Sequence, residues 1–208
     1  MVLTEYKPTR SQLLLVRRTL RMAERGHRLL KLKRDALILE FFNVLNRAKE
    51  IRSDIVKRYR VAEERLAIAA SVEGKVGVKS AAFALLKTPQ LELSSRNVMG
   101  IVVPKIEAQS VRKGIHERGY GIIGTSARID DAAAAYEELV EDIIVAAEIE
   151  TTMRRLIEEI EKVKRRVNAL EHRVIPELKE TEKFIRQRLE ETERENIFRL
   201  KRFKAAGG

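Results

Sequence analysis

Hydrophobic residues in the first third of the chain recur at alternating intervals of three and four. From Leu13 the series runs through Val16, Leu20, Ala23, His27, Leu30, Arg34, Leu37, Phe41, Val44, Ala48, Ile51, Ile55, Arg58, Ala62, Arg65, Ala69 and Val72. Fourteen of these eighteen positions are apolar, where composition alone would give about eight. A period of 3.5 over that length predicts one long helix with a narrow apolar seam. Pro8-Thr9 reads as its start, with Thr9 or Ser11 able to cap free N–H groups. Glu73-Gly74 reads as its stop.

The last third repeats the pattern. Thr125 or Ser126 can cap, and Asp130 and Asp131 sit near the first turn, where carboxylates suit the helix dipole. The seam runs Ile129, Ala132, Tyr136, Leu139, Ile143, Ala146, Met153, Ile157, Ile160. It then shifts phase to Val163, Val167, Leu170 and Val174, and continues through Leu178, Thr181, Ile185 and Leu189. Pro176 inside the pattern predicts a kink or interruption just before it. Residues 73–125 differ, holding seven of the ten glycines and two of the four prolines. A short helix is expected from Gly77 to Leu86. Short strands are expected at Leu91–Leu93 and Ile101–Val103, with another over Ile106–Val111.

Two long helices with apolar seams must bury them, and a compact connector lets them do so against each other. The expected fold is therefore mainly α: a long antiparallel two-helix coiled coil with a small irregular connector, containing a β-hairpin, at its folded end. Residues 1–72 form the first helix, 73–125 the connector and 126–208 the second helix, kinked near Pro176. The seam is expected to rest on Leu13, Leu20, Leu30, Leu37, Phe41 and Ile51 facing Ile143, Ile157, Ile160 and Val167. Arg34, Arg58 and Arg65 lie on the first seam and need partners there. Arg34 is expected to pair across it with Glu150, Glu171 or another acid.

Composition agrees with exposed helices rather than a thick core: 35% charged residues, 5% aromatics and no Trp. The absence of cysteine excludes disulfides and thiolate metal sites. No run of roughly 18 uncharged apolar residues occurs, so no membrane span is expected. Met1–Tyr6 lacks a basic then apolar export pattern.

The net charge of +11 is uneven. Residues 1–34 carry ten Lys and Arg against Glu5 and Glu24. Three readings of that tract stay open: a solvated face, an acidic protein surface, and nucleic acid or anionic lipid. It lacks the aromatic interleaving that suits single strands, and a helix that folds back cannot form a basic-zipper fork.

Candidate catalytic chemistry is sparse. Gly119-Tyr120-Gly121-Ile122-Ile123-Gly124 matches G-x-G-x-x-G, but the helix after it is several times too long for a dinucleotide crossover. His27, His116 and His172 are not at metal-ligand spacing, and His27 on the seam reads as an interhelical histidine. Glu137-Glu138, Glu158-Glu159 and Glu190-Glu191 are adjacent in sequence, so each pair points two ways and forms no acid/base couple. No catalytic, metal or cofactor residue is assigned.

Pro8-Thr9-Arg10 at a helix start, followed by the run Ala23-Glu24-Arg25-Gly26-His27-Arg28-Leu29-Leu30-Lys31-Leu32-Lys33-Arg34-Asp35-Ala36-Leu37, resembles the D subunit of archaeal A-type and vacuolar V-type ATPases. Asn97-Val98-Met99-Gly100-Ile101-Val102-Val103-Pro104 is similar to that family too, as is Gly124-Thr125-Ser126 leading into Asp130-Asp131-Ala132. The resemblance implies a non-catalytic rotor shaft of a rotary ATP synthase. Its implied partners are the A and B subunits of the catalytic hexamer, the F subunit on the side of the shaft, and the C subunit (d in vacuolar enzymes) at the connector end. It implies no nucleic acid and a peripheral place on the cytoplasmic side of the membrane, reached only through the complex. On that reading Arg10, Arg17, Arg18 and Arg21, with Arg199, Lys201 and Arg202, are the expected contacts to the catalytic sleeve. The alternatives are a basic helical nucleic-acid-binding protein and a membrane-surface scaffold.

Overall fold

The computed structural model describes residues 7–84, 90–108, 111–114, 118–120 and 125–206. Its elements in chain order are α1 (Arg10–Phe83), β1 (Leu91–Val98), β2 (Ile101–Ala108), α2 (Ala127–Ala169), a π-helical turn (Leu170–Val174) and α3 (Ile175–Ala206). The fold is mainly α, with long helices paired antiparallel and a two-stranded antiparallel hairpin between them in sequence. The chain divides into two compact units, residues 1–36 with 160–208, and residues 37–159.

In the first unit Thr9 starts α1: its Oγ1 accepts the Gln12 N–H at 3.2 Å and its carbonyl accepts the Leu13 N–H. Val16 and Leu20 are buried on α1, and Val163, Val167 and Ile185 on the helices opposite. Leu13, Leu30 and Ile160 are half-buried. Each fully buried Val, Leu or Ile contributes about 1.5–3 kcal/mol by leaving water. Ion pairs flank the seam and fix the direction of pairing. Arg10 meets Glu193, Arg17 meets Glu182, Glu24 meets Lys179 and His27 meets Glu171. The partner numbers fall as the α1 numbers rise, so the helices run antiparallel. His27 is an interhelical histidine, its Nε2 3.3 Å from Glu171.

Pro176 explains the π-turn. It has no N–H for the His172 carbonyl, and its ring crowds that carbonyl. The backbone widens, and the Ile175 N–H bonds to the Leu170 carbonyl five residues back. A wide turn holds one extra residue, so the apolar phase slips by one. Leu178, Ile185 and Leu189 then take positions that unbroken α-helix would give to Glu177, Phe184 and Arg188. Thr181 is buried on this face, and its hydroxyl donates to the Glu177 carbonyl at 2.8 Å.

That slip corrects the seam expected for the second helix. Ile143 and Ile157 are 47% and 42% exposed, whereas Leu139, Ile149 and Leu156 are buried, Leu156 completely. The inward series Leu139, Asp142, Ala146, Ile149, Met153, Leu156, Ile160, Val163 keeps its 3-4 spacing throughout. The phase change expected between Ile160 and Val163 lies instead at the π-turn. A search for apolar residues skips Asp142, which sits inward because Arg58 binds it at 3.2 Å.

In the second unit Leu37, Ala62 and Ala69 of α1 are buried, with Ala132 and Ala135 joining Leu139, Ile149 and Leu156 on α2. Phe41 and Ile51 are half-buried. Arg65 donates to the Asp131 carbonyl. Arg34, in the first unit, bonds its neighbour Asp35 at 2.8 Å, while the acids named as its cross-seam partners bond elsewhere: Glu171 to His27, Glu150 to Arg154. Adjacent residues reach each other without crossing the seam, which is why its expected partner is displaced.

The expected stop at Glu73-Gly74 is a break rather than an end. Gly74 takes φ 77, ψ 157, and helix resumes to Phe83. A side chain at that φ would be strained, so glycine is the residue that permits it. Beyond the break Ala81 and Val78 pack with Ala69, Ile129, Ala132 and Tyr120. Glu73 Oε1 accepts the Ser126 N–H at 2.7 Å just before α2 begins.

The hairpin pairs Leu91 with Ala108 through Val98 with Ile101. Its turn is Met99-Gly100, both at positive φ, with Asn97 Oδ1 accepting the Gly100 N–H. Both strands exceed the expected spans, and Pro104 lies within β2. The third strand expected over Ile106–Val111 is the end of β2, with Val111 outside any strand. Residues 109–110, His116 and Gly121–Gly124 of the glycine motif lie outside the described residues.

Past the hairpin, Arg118 is buried against α2. It bonds Asp130 at 3.0 Å and Glu137 at 3.1 Å. Burial works against its charge, but the hydrogen bonds of Glu137, Tyr120 and Asp130 outweigh it and hold its pKa above the usual value. The Tyr120 hydroxyl donates to Asp130 at 2.6 Å. Burial, and then that bond, push the Tyr120 phenol up to about 12.

Two outcomes test this arrangement. Leu156→Ala should destabilise by about 2–5 kcal/mol, whereas Ile157→Ala should cost about 1 kcal/mol or less. Urea titrations of both variants check it; equal losses would place both on the seam. For Tyr120, the unfolded phenol loses its proton near 10 and the folded one near 12. The unfolded state therefore binds fewer protons between those values, and stability should fall as pH rises through that window. Denaturation midpoints against pH for the wild type and Tyr120→Phe measure the difference.

Candidate partner-binding surface

The first unit carries the residues expected to meet a partner, and they divide into two groups. Arg10 and Arg17 are engaged within the coiled coil, at 2.7 Å from Glu193 and 2.8 Å from Glu182. Arg18 and Arg21 are exposed and make no ion pair among the described residues. On α3, Arg199 lies 3.9 Å from Glu195 one turn earlier, and Lys201 and Arg202 are exposed. An i,i+4 pair in water is worth a few tenths of a kcal/mol and leaves Arg199 free to rearrange.

Periodicity explains this division. Arg17 lies next to Val16 and reaches over the seam. Arg18 lies on a second 3-4 series: Leu15, Arg18, Met22, Arg25, Leu29, Leu32. Leu15, Met22, Leu29 and Leu32 are all exposed, as is Leu14 beside them. This stripe faces away from α3 and alternates apolar side chains with arginines. Arg25, Arg28 and Lys31 are exposed here too, without an ion pair among the described residues.

The end of α3 is similar in character. Arg10, the first residue of α1, pairs with Glu193, and α3 continues beyond that point to Ala206. Ile197, Phe198, Leu200 and Phe203 are exposed there beside Arg199, Lys201 and Arg202. The expectation from charge alone named only the cations. It missed the apolar residues between them, although the recurrence of Leu15, Met22 and Leu29 at intervals of seven is visible in the sequence. A charged stretch with a greasy stripe can bind a protein surface.

A family profile for the D subunit of ATP synthase matches residues 12–205. The chain belongs to that family. The A-type ATP synthase D subunit of Methanococcoides burtonii is 59% identical over 97% of this chain and 98% of its own length. The same-named protein of Methanoregula boonei is 54% identical over 100% and 99%, and that of Archaeoglobus fulgidus 52% over 97% of each. This member of the D-subunit family is a non-catalytic, central-stalk component of an A/V-type ATP synthase. It is part of that complex, and no helix among its described residues is long and apolar enough to cross a membrane. The readings as a nucleic-acid-binding protein or a membrane-surface scaffold are not supported by these relatives.

Proposed function

We propose that this protein turns inside the hexamer of catalytic A and non-catalytic B subunits and presents the first unit's basic, greasy stripe to it. Arg18 and Arg21 on α1, with Arg199, Lys201 and Arg202 on α3, are the contacts of this reading. Arg10 and Arg17 are instead engaged with Glu193 and Glu182 of α3. The F subunit sits on the side of the coiled coil, and the C subunit (d in vacuolar enzymes) meets the connector. The complex places the protein at the cytoplasmic side of the membrane without any span of its own. The observation that carries the reading is the pair Arg18 and Arg21, exposed without an ion pair among the described residues and set among exposed leucines.

The physics suits a shaft that must slide. A rotating contact needs many weak attractions rather than one deep one. Guanidinium groups facing acidic patches across water attract over about 8–10 Å and are readily screened. Small apolar contacts add grip without directional bonds. Stiffness comes from elsewhere, from two packed helices whose seam is buried on the opposite face.

Charge reversal separates these roles. In Arg18→Glu/Arg21→Glu, helical content and midpoint of unfolding should stay at wild-type values. Assembly with the A and B subunits should weaken by about tenfold or more, with a smaller dependence on salt. In Arg10→Glu/Arg17→Glu, like charges at Glu193 and Glu182 should lower the unfolding midpoint as well. ATPase assays and assembly titrations on the reconstituted complex measure both. Wild-type coupling and assembly in the first double variant would refute the assignment of the stripe.

A further inference from the structure

The connector and the coiled coil are held by different forces. Along α2 the carboxylates Asp130, Glu137, Glu141 and Glu148 fall on one line, at spacings of seven, four and seven, with Glu138 beside it. Each receives the connector or a residue beside it. Glu148 Oε2 accepts the backbone N–H of Ile106 in β2 at 3.1 Å. Glu137 accepts the backbone N–H of Lys113 and one arm of Arg118, and Asp130 takes the other arm and the Tyr120 hydroxyl. Arg112 reaches Glu138 at 3.5 Å and Glu141 at 3.4 Å.

Apolar attachment accompanies the ionic one: Ile101, Val103 and Val111 are buried and Tyr120 packs with Ala69, Ala81, Ile129 and Ala132, while Leu91, Leu93, Met99 and Val102 stay exposed. A segment fastened by a row of carboxylates to backbone N–H groups and arginines, beside a few apolar side chains, can open locally at less cost than the seam of leucines and alanines.

We propose that the hairpin and the stretches Val111–Gly114 and Arg118–Tyr120 form an ionic strap on α2, which opens and closes as one unit while the coiled coil beneath stays folded. Arg118 between Asp130 and Glu137 is its buckle. Opening bares a row of five carboxylates on α2 and frees both faces of the hairpin. The proposal does not depend on which subunits the basic stripe meets.

Amide hydrogen exchange on the full chain tests it, read by NMR at Ile106 and Lys113 in the strap and at Leu139 and Leu156 in α2. Glu148→Gln removes the charge from the acceptor of the Ile106 N–H, and Glu137→Gln from the acceptor shared by the Lys113 N–H and Arg118. Either substitution should speed exchange at both strap amides together, by about tenfold, with Leu139 and Leu156 unchanged. Raising salt from about 0.05 to 0.5 M should do the same in the wild type, since screening acts on the exposed pairs; this arm needs no variant to fold. Acceleration confined to the amide whose acceptor was changed would overturn the single-unit opening. Parallel acceleration in α2, or no response to salt, would overturn the strap.

Discussion

A narrow stripe of apolar side chains hidden between two antiparallel helices is the constraint on which the rest of this chain depends. The stripe is only about two positions wide per turn pair, so each inward residue is answerable for a large share of the packing. Alanines at Ala62, Ala69, Ala132 and Ala135 allow close approach in the second unit, and valines at Val16, Val163 and Val167 fill the first. Polar residues that intrude are matched individually: Asp142 by Arg58, His27 by Glu171, Thr181 by the carbonyl of Glu177. A thicker core would tolerate one misplaced side chain by repacking around it; a two-helix seam has no second layer to do so.

The same narrowness leaves most of each helix surface available. That is why exposed leucines and arginines on α1 need no internal explanation beyond the direction of the seam, and why membership of the ATP synthase D-subunit family fits the structure. A central-stalk component without chemistry of its own can act only through surfaces. A coiled coil supplies the most outward surface for the fewest buried residues. Pro176 adds a feature that a uniform coiled coil lacks. By forcing a π-turn it advances the inward face by one residue, so α2 and α3 present different faces to α1 on the two sides of Leu170–Val174.

The connector follows another logic. Its strands and turns bury only the apolar side chains of Ile101, Val103 and Val111 among the described residues. It is fastened as well by acids projecting from α2 to arginines and backbone N–H groups. Ionic attachment is directional and responsive to solvent, and the connector relies on it more than the seam does. The difference traces to which residues α2 offers on each of its faces.

Apolar spacing, with the glycines and prolines of the connector, was enough to indicate two long helices, their antiparallel pairing, a hairpin between them and the interruption at Pro176, because these depend on local spacing, turn residues and the absence of an N–H in proline. It also placed Leu37 and Val167 on the inward face. The family resemblance rested on three stretches of sequence, and the relatives bear it out. Only the tertiary structure decided that Leu156 and not Ile157 faces inward, since an aspartate held by a distant arginine occupies the seam at Asp142. Only the tertiary structure joined Arg118 to Asp130 and Glu137, and only it showed which acid Arg17 binds. Spacing along a helix is a local property and can be read from the chain. The partner of a charged side chain is set by whatever another element brings within about 3 Å, and no period records that.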